Sequence, residues 1–181
     1  MMHTAVTIIG VDVMRYAALI AFAALVFGIA HAEVADRPEA EPDPIVKIIN
    51  FTADWCPNCR IVDPRIDEVL ERQVEGEFEL VELDMTRTWR ASDEEKMAVF
   101  ADVIRTADAH KAGYLWDWYG GRTGITVLIA ADTGEPISCI TAALDTDQID
   151  FRFAEARILA LRAPPGARKP DGPACPPPMN G

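Results

Sequence analysis

The sequence predicts an α/β fold, a mixed four-stranded sheet with helices on its faces, in the order β-α-β-α-β-β-α. Short β-branched or alternating apolar runs recur along the middle of the chain, and longer stretches with apolar residues at helical spacing separate them. Of the 181 residues, 50% are hydrophobic and 25% are charged, which is ordinary globular composition. The length suits one domain with tails.

The first half of the domain begins with a β-branched run at residues 45–51, which predicts a buried strand. A turn leads into a predicted helix over residues 59–74, in which Pro64 should cause a kink. The alternating run at 78–83 predicts the second strand. Ser92 then has the side chain expected of an N-cap, and the helix that it starts should end near residue 110.

The second half begins with an aromatic stretch at 114–119 and a Gly-rich turn at 120–124. Strands are predicted at 125–130 and 136–142, with a hairpin turn between them. Thr146 or Asp147 should cap a last helix that ends near residue 161. Two strand–helix–strand crossovers in this order predict parallel strands, to which the hairpin adds antiparallel ones.

The two ends of the chain are predicted to lie outside this domain. Arg15, the apolar run at 17–30 and the small residues Ala30 and Ala32 predict a secretory signal peptide that is cut after Ala32. An uncleaved membrane anchor is the alternative. Export, to the periplasm or outside the cell, places the cysteines where disulfides persist. The predicted segments are the signal peptide, 1–32, an acidic Pro-rich linker, 33–44, the domain, 45–162, and a Pro-rich disordered tail, 163–181.

The chain is acidic, with 29 Asp and Glu against 17 Lys and Arg, a net charge of −12. Such a chain is repelled by phosphate backbones and by anionic lipids. We therefore predict no nucleic-acid partner, and contact with a membrane only through the signal segment if it stays uncleaved.

The residues that indicate chemistry are Trp55-Cys56-Pro57-Asn58-Cys59. Two cysteines at positions i and i+3 across the first turn of a helix bring their sulfurs close enough to bond, which predicts a Cys56–Cys59 disulfide. Free N–H groups at the helix N-terminus stabilise a thiolate on Cys56, so Cys56 should attack and Cys59, one turn inside and more shielded, should resolve. Pro57 sets a helical φ at the start of the helix.

In this context the chain resembles the thioredoxin superfamily. The segment from Asn50 to Arg60, with Pro64 five residues after Cys59, is similar to that family's redox strand, active-site loop and kinked helix. Runs at 124–129, 132–135 and 143–149 are similar to its second half, so the resemblance covers about residues 45–161.

The resemblance implies a thioredoxin-like three-layer fold and a thiol–disulfide oxidoreductase that acts in cell redox homeostasis. Its partners would be protein thiols or disulfides, with a membrane redox partner as one option. Cys56 and Cys59 would be the catalytic pair, and Trp55, Pro57, Ile125 and Thr126 would form the substrate-binding rim. No cofactor and no metal is predicted. The direction, oxidation or reduction, stays open.

Two positions depart from the family pattern. Thr126 stands where the family usually has a cis-proline, or just after the place where that proline is deleted. Asn50 stands where thioredoxins carry a buried acidic residue that helps the inner cysteine lose its proton. Both departures motivate an alternative, a non-catalytic binding module with a static disulfide. A third hypothesis is Cu(I) handling by the two thiolates.

Two further cysteines and an aromatic group leave alternatives open. Cys139 is expected to be buried in the fourth strand, where it is either a free apolar residue or bonded. Cys175, in the tail, pairs with Cys139, with another chain or with a small thiol, or stays free. The aromatic residues Trp116, Trp118 and Tyr119 either line a partner groove or cap the core.

Overall fold

Four strands form one mixed sheet in the order β2–β1–β3–β4. This computed structural model describes residues 43–168 and Cys175. The strands are β1 (Val46–Thr52), β2 (Phe78–Asp84), β3 (Ile125–Ala130) and β4 (Pro136–Thr141). Residues of β3 are buried along its whole length, as expected for an apolar strand in the middle of a sheet that is covered on both faces. The predicted α/β fold and its four strands are confirmed.

Four helices cover the sheet: α1 (Cys59–Leu70), α2 (Asp93–Ala109), α3 (Tyr114–Tyr119) and α4 (Thr146–Arg162). The predicted N-cap of α2 is confirmed, because the Ser92 side chain accepts from the Glu95 N–H and the Glu95 side chain accepts from the Ser92 N–H. Asp145 caps α4 in the same way, one residue before the expected position. α1 ends four residues earlier than predicted, and α3 is a short helix where we expected only an aromatic stretch.

The direction of β3 differs from the prediction. β1 and β2 are parallel, but β3 runs antiparallel to β1 instead of completing a second parallel crossover. The end of α2 leads to the β3–β4 turn, where the Tyr114 hydroxyl donates to the Gly134 carbonyl oxygen at 2.8 Å. Residues 114–124 then cross the sheet once more, and the Gly124 N–H donates to the Phe51 carbonyl oxygen at 2.9 Å. Because of this extra crossing, β3 starts where β1 ends.

The core consists of two groups of apolar side chains, one on each face of the sheet, and this arrangement confirms the three-layer fold. On one face, α1 and α4 bury residues such as Val62, Ile66 and Phe153 against Ile48 and Leu128. On the other, α2 and α3 bury Val103 and Leu115 against strand residues that include Ile49, Phe51 and Val127. Cys56 and Cys59 belong to this second group.

The described start of the predicted tail, residues 163–168, contacts the folded domain. Residues 163–168 fold against the β3–β4 hairpin, and Arg168 is 95% buried. Its guanidinium donates to both carboxylate oxygens of Asp132, with Nη2 at 2.8 Å from Oδ2, and to the Ala163 carbonyl oxygen. Glu135 accepts from the backbone N–H groups of Gly166 and Arg168. These charged partners hold a segment whose sequence offers almost nothing apolar.

The predicted signal peptide and most of the predicted linker lie outside the described residues. Between residues 43 and 168, no helix is long and apolar enough to cross a membrane.

Candidate active site

The Cys-x-x-Cys segment lies at the carboxyl end of β1, where the chain turns into α1. Cys56 and Cys59 form a disulfide with their Cα atoms 5.3 Å apart, as predicted. The Cys56 N–H donates to the Ala53 carbonyl oxygen at 3.0 Å, which closes the turn after the strand. The Cys56 carbonyl oxygen accepts from the Arg60 N–H, so the helical hydrogen bonds begin at Cys56 itself.

The backbone treats the two sulfur atoms differently. The Cys59 N–H donates to Cys56 Sγ at 3.2 Å, and this bond stabilises negative charge on Cys56. Cys59 Sγ instead lies 3.9 Å from the Phe51 carbonyl oxygen, whose partial negative charge disfavours a thiolate. Burial does not distinguish the pair, because Cys56 is 3% exposed and Cys59 is 2% exposed. The expected greater shielding of Cys59 is therefore absent, and the asymmetry is electrostatic.

Trp55 and Pro57, on either side of Cys56, are placed differently. Pro57 is exposed. Trp55 is half-buried, and its indole Nε1 donates to the Thr86 carbonyl oxygen at 3.2 Å. Its ring stacks on that of Trp89 with the ring centres 5.8 Å apart. Trp55 is thus a fixed side chain that joins the active-site loop to the loop after β2.

The side chains of Ile125 and Thr126 are not part of an accessible rim, which corrects the prediction for these two residues. Both belong to β3 and are buried, at 2% and 0% exposed. No peptide bond among the described residues is cis. The residue beside the disulfide is Gly124, where an added Cβ would lie 3.4 Å from Cys56 Sγ and 2.7 Å from Asn58 Cβ. The Gly-rich turn was visible in the sequence, but its contact with Asn58 depends on the tertiary fold.

A polar network beneath the disulfide includes an acidic residue that sequence reasoning missed. Asn50 Nδ2 donates to Asp63 Oδ1 at 3.1 Å, and Thr52 Oγ1 donates to Asp63 Oδ2 at 2.6 Å. Thr126 Oγ1 donates to Asn50 Oδ1 at 2.8 Å. Asp63 lies four residues after Cys59, one helical turn further on and also facing β1. The carboxylate of this network is therefore Asp63 on α1, whereas position 50 on the strand has an amide. The spacing of Asp63, four residues after Cys59, was the sequence signal for it.

Two carboxyl groups near Asp63, those of Asp67 and Glu82, have raised pKa values. Burial, followed by the charges of Asp63 and Glu71, raises the pKa of Asp67. Burial also raises the pKa of Glu82 on β2, with further contributions from Asp63, Asp67 and Asp84. Several carboxyl groups therefore lie close together between α1 and β2, and their negative charges repel one another.

The other two cysteines form a second disulfide. Cys139 on β4 bonds to Cys175 with a Cα–Cα distance of 4.8 Å, which settles the alternatives left open for both residues. Cys139 is buried, and its sulfur lies 3.9 Å from the Tyr119 hydroxyl. This bond ties the C-terminal part of the chain to the edge strand of the sheet.

The aromatic residues of α3 cap the core. Tyr119 is fully buried, and burial raises its pKa. Trp116 and Trp118 are half-buried against the same apolar group, and their rings pack on Phe100 and Tyr114 at centroid distances of 5.2 Å and 5.0 Å. Of the two alternatives, a partner groove or a cap on the core, the packing of these residues favours the cap on the core.

Sheet order, helix layers and a Cys-Pro-Asn-Cys pair at the end of a central strand define a thioredoxin-like redox domain. The family model described as Thioredoxin matches residues 39–111, which confirms the resemblance of this domain to the thioredoxin superfamily. A similar solved structure is StoA from Bacillus subtilis, at 17% sequence identity and a TM-score of 0.40. The match covers 61% of this chain and 84% of the StoA chain. Comparison with curated proteins gives no match.

Proposed function

We propose that the protein is an exported thiol–disulfide oxidoreductase that exchanges disulfides with protein partners through Cys56 and Cys59. The observation that carries the proposal is the unequal backbone environment of the two sulfurs. An N–H at 3.2 Å favours a thiolate on Cys56, while the carbonyl oxygen near Cys59 favours its thiol form. A purely structural disulfide has no need of such a difference.

The chemistry follows from this asymmetry. In the reducing direction, the Cys56 thiolate attacks one sulfur of a partner disulfide, and the other partner sulfur leaves as a thiolate. The Cys59 thiol then gives its proton to the solvent, from which the first partner thiolate can take one up, and the Cys59 thiolate attacks Cys56 Sγ. The Cys56–Cys59 bond forms, the second partner thiolate leaves, and two electrons have passed to the partner. Oxidation of a partner dithiol is the reverse. We propose Asp63, one turn after Cys59 on the same helix, as the carboxylate that influences the proton on Cys59.

Export is supported by the sequence of residues 1–32 and by the presence of two disulfides, which persist in oxidising compartments. The periplasm or the extracellular space is therefore the proposed location. No membrane role beyond the signal segment is part of the proposal.

The test uses single cysteine variants of the full chain. Cys59→Ser leaves a nucleophile that cannot be released, so mixed disulfides with partners should accumulate on non-reducing gels. Cys56→Ser should trap none, and alkylation below pH 8 should modify Cys56 before Cys59. A Cys139→Ser/Cys175→Ser double variant is the matched control and should retain exchange.

A second candidate, a binding module with a static disulfide, is favoured by the 3% exposure of Cys56. It predicts that both single variants behave alike and that neither captures a partner. That result would overturn the oxidoreductase proposal.

A further inference from the structure

Trp55, the residue before Cys56, stacks on a second tryptophan that the exchange chemistry does not use. Trp89 follows the short 3₁₀ helix Thr86–Thr88 and stacks on Trp55, with an angle of 26° between the ring planes. It is 58% exposed, although large aromatic side chains are usually covered in a folded domain. Since Trp55 directly precedes Cys56, the two rings form an aromatic surface that begins at the active-site loop.

The loop that carries Trp89 is held in place by hydrogen bonds. The Met85 N–H donates to the Thr52 carbonyl oxygen at 2.9 Å, and the Thr88 hydroxyl donates to the Met85 carbonyl oxygen at 2.8 Å. Thr86 accepts twice from the active-site loop, through its hydroxyl from the Asp54 N–H and through its carbonyl from the Trp55 indole. An exposed aromatic ring is therefore displayed in a fixed position relative to Cys56, which lowers the entropy cost of binding against it.

Positive charge borders this surface. Arg87 and Arg90 are exposed on either side of Trp89, and the Arg90 guanidinium lies 5.8 Å from the centre of the Trp89 ring. Arg90 adopts φ 58°, a left-handed conformation that is uncommon for a residue with a side chain. In a chain with a net charge of −12, the Arg90 guanidinium at the exposed ring favours a neutral or acidic ligand.

We propose that Trp55, Trp89 and Arg90 form a docking surface for an extended segment of the partner protein, one that carries a large apolar side chain and an acidic residue close to its reacting cysteine. The proposal rests on the function proposed above and names the substrate class of that site. A partner cysteine that reaches Cys56 brings its neighbouring residues over Trp55, and Trp89 extends the contact. Trp89 is thus a specificity-determining residue that takes no part in the exchange itself.

The first test compares two peptide disulfides with the same cysteine, one flanked by Phe and Glu and the other by Ser and Lys. Trp89→Ala should lower kcat/KM for the Phe-Glu peptide by about tenfold, the effect of losing about 1.4 kcal/mol of aromatic contact. The same substitution should leave kcat/KM unchanged for the Ser-Lys peptide and for the small reagent hydroxyethyl disulfide. Trp89→Phe, which keeps an aromatic ring, should retain most of the wild-type kcat/KM for the Phe-Glu peptide. Phe151→Ala, which removes a 64% exposed aromatic side chain from α4, is the matched control and should change nothing.

A second measurement separates the failure of this proposal from the failure of the proposed function. The oxidised protein is titrated with the Phe-Glu peptide in which Ser replaces Cys, so that no exchange is needed. Weaker binding by Trp89→Ala supports the docking surface even if the disulfide proves inactive. Equal binding by the wild type and Trp89→Ala, or a Trp89-dependent self-association seen in sedimentation, overturns it, the latter in favour of a second copy of the chain.

Discussion

At the residue scale, the amide at Asn50 suits its position because its neighbour Asp63 already provides a carboxylate. Asn50 donates from its amide to Asp63 and accepts from Thr126. An acidic residue at position 50 would set two carboxylates within hydrogen-bonding distance of each other with no donor between them. Because α1 already supplies Asp63, an amide is the side chain that satisfies both neighbours at this buried position.

We predict that Asn50→Asp destabilises the protein at pH 7 by about 1–3 kcal/mol, because it removes a donor and adds a like charge. Lowering the pH should recover part of the loss, since one of the two carboxylates then takes up a proton. Urea unfolding at pH 7 and pH 5 measures both effects. The exchanged pair Asn50→Asp/Asp63→Asn is the control and should be more stable than Asn50→Asp alone. If the double variant is worse, the two positions do not interact as described.

Some site residues could be predicted from the sequence, and others could not. The spacing of Cys56 and Cys59 at the start of a helix predicts a redox pair. The position of Ser92, three residues before Glu95, predicts a helix N-cap. Gly124 and Asp63 become site residues only through long-range packing, which no local pattern encodes. Thr126 was assigned to the rim by analogy, yet its hydroxyl is turned inward to Asn50.

At the element scale, the direction of β3 depends on one short helix. Local periodicity identified all four strands and three helices, but α3 has only six residues and its aromatic sequence does not show a helical pattern. Those residues add a crossing of the sheet, and one added crossing reverses the next strand. Strand direction is therefore less predictable than strand position.

The face between α1 and β2 yields a second prediction. The pKa of Glu82 is raised, mainly by burial, so the folded state binds a proton there more tightly than the unfolded chain does. Its charge therefore costs stability at pH values above its raised pKa, and this cost is absent below the usual value of 4.5. Glu82→Gln should raise the thermal midpoint slightly at pH 7 and have no such effect at pH 3.5.

The control for this prediction is Glu94→Gln. Glu94 lies in the first turn of α2, where the helix N-terminus favours negative charge, so its removal should give no gain at pH 7. Equal gains from both variants would mean that a general reduction of negative charge, and not the position of Glu82, is responsible.

At the scale of the whole molecule, the two disulfides close loops of very different size. Cys56 and Cys59 are three residues apart, whereas Cys139 and Cys175 are separated by 36. The longer loop restricts the unfolded chain more, and the chain-entropy relation gives about 4 kcal/mol for it against about 1.6 kcal/mol for the short one. Cys175 is therefore covalently joined to the folded domain.

We predict that a Cys139→Ser/Cys175→Ser variant loses up to about 4 kcal/mol of unfolding free energy, while Cys56→Ser/Cys59→Ser loses less than half of that. Denaturant unfolding of the oxidised proteins measures both values. Asp132→Asn weakens the contact with Arg168 and leaves every cysteine in place. It should lower the unfolding free energy by less than Cys139→Ser/Cys175→Ser does. A larger loss from the Cys56/Cys59 variant would identify that pair as the structural bridge.

The near-complete burial of Cys56 has a kinetic consequence. Because Cys56 is only 3% exposed, we expect a local opening to precede each exchange. The neighbouring turn has Gly120, Gly121 and Gly124 in left-handed conformations, and a Cβ added to Gly124 would lie 3.4 Å from Cys56 Sγ, so we expect this turn to move in the opening. At low thiol concentration the rate is then the opening equilibrium multiplied by the intrinsic rate of attack. At high concentration it reaches a ceiling equal to the opening rate, so the motion of this turn, more than the nucleophilicity of the reagent, limits how fast the protein turns over.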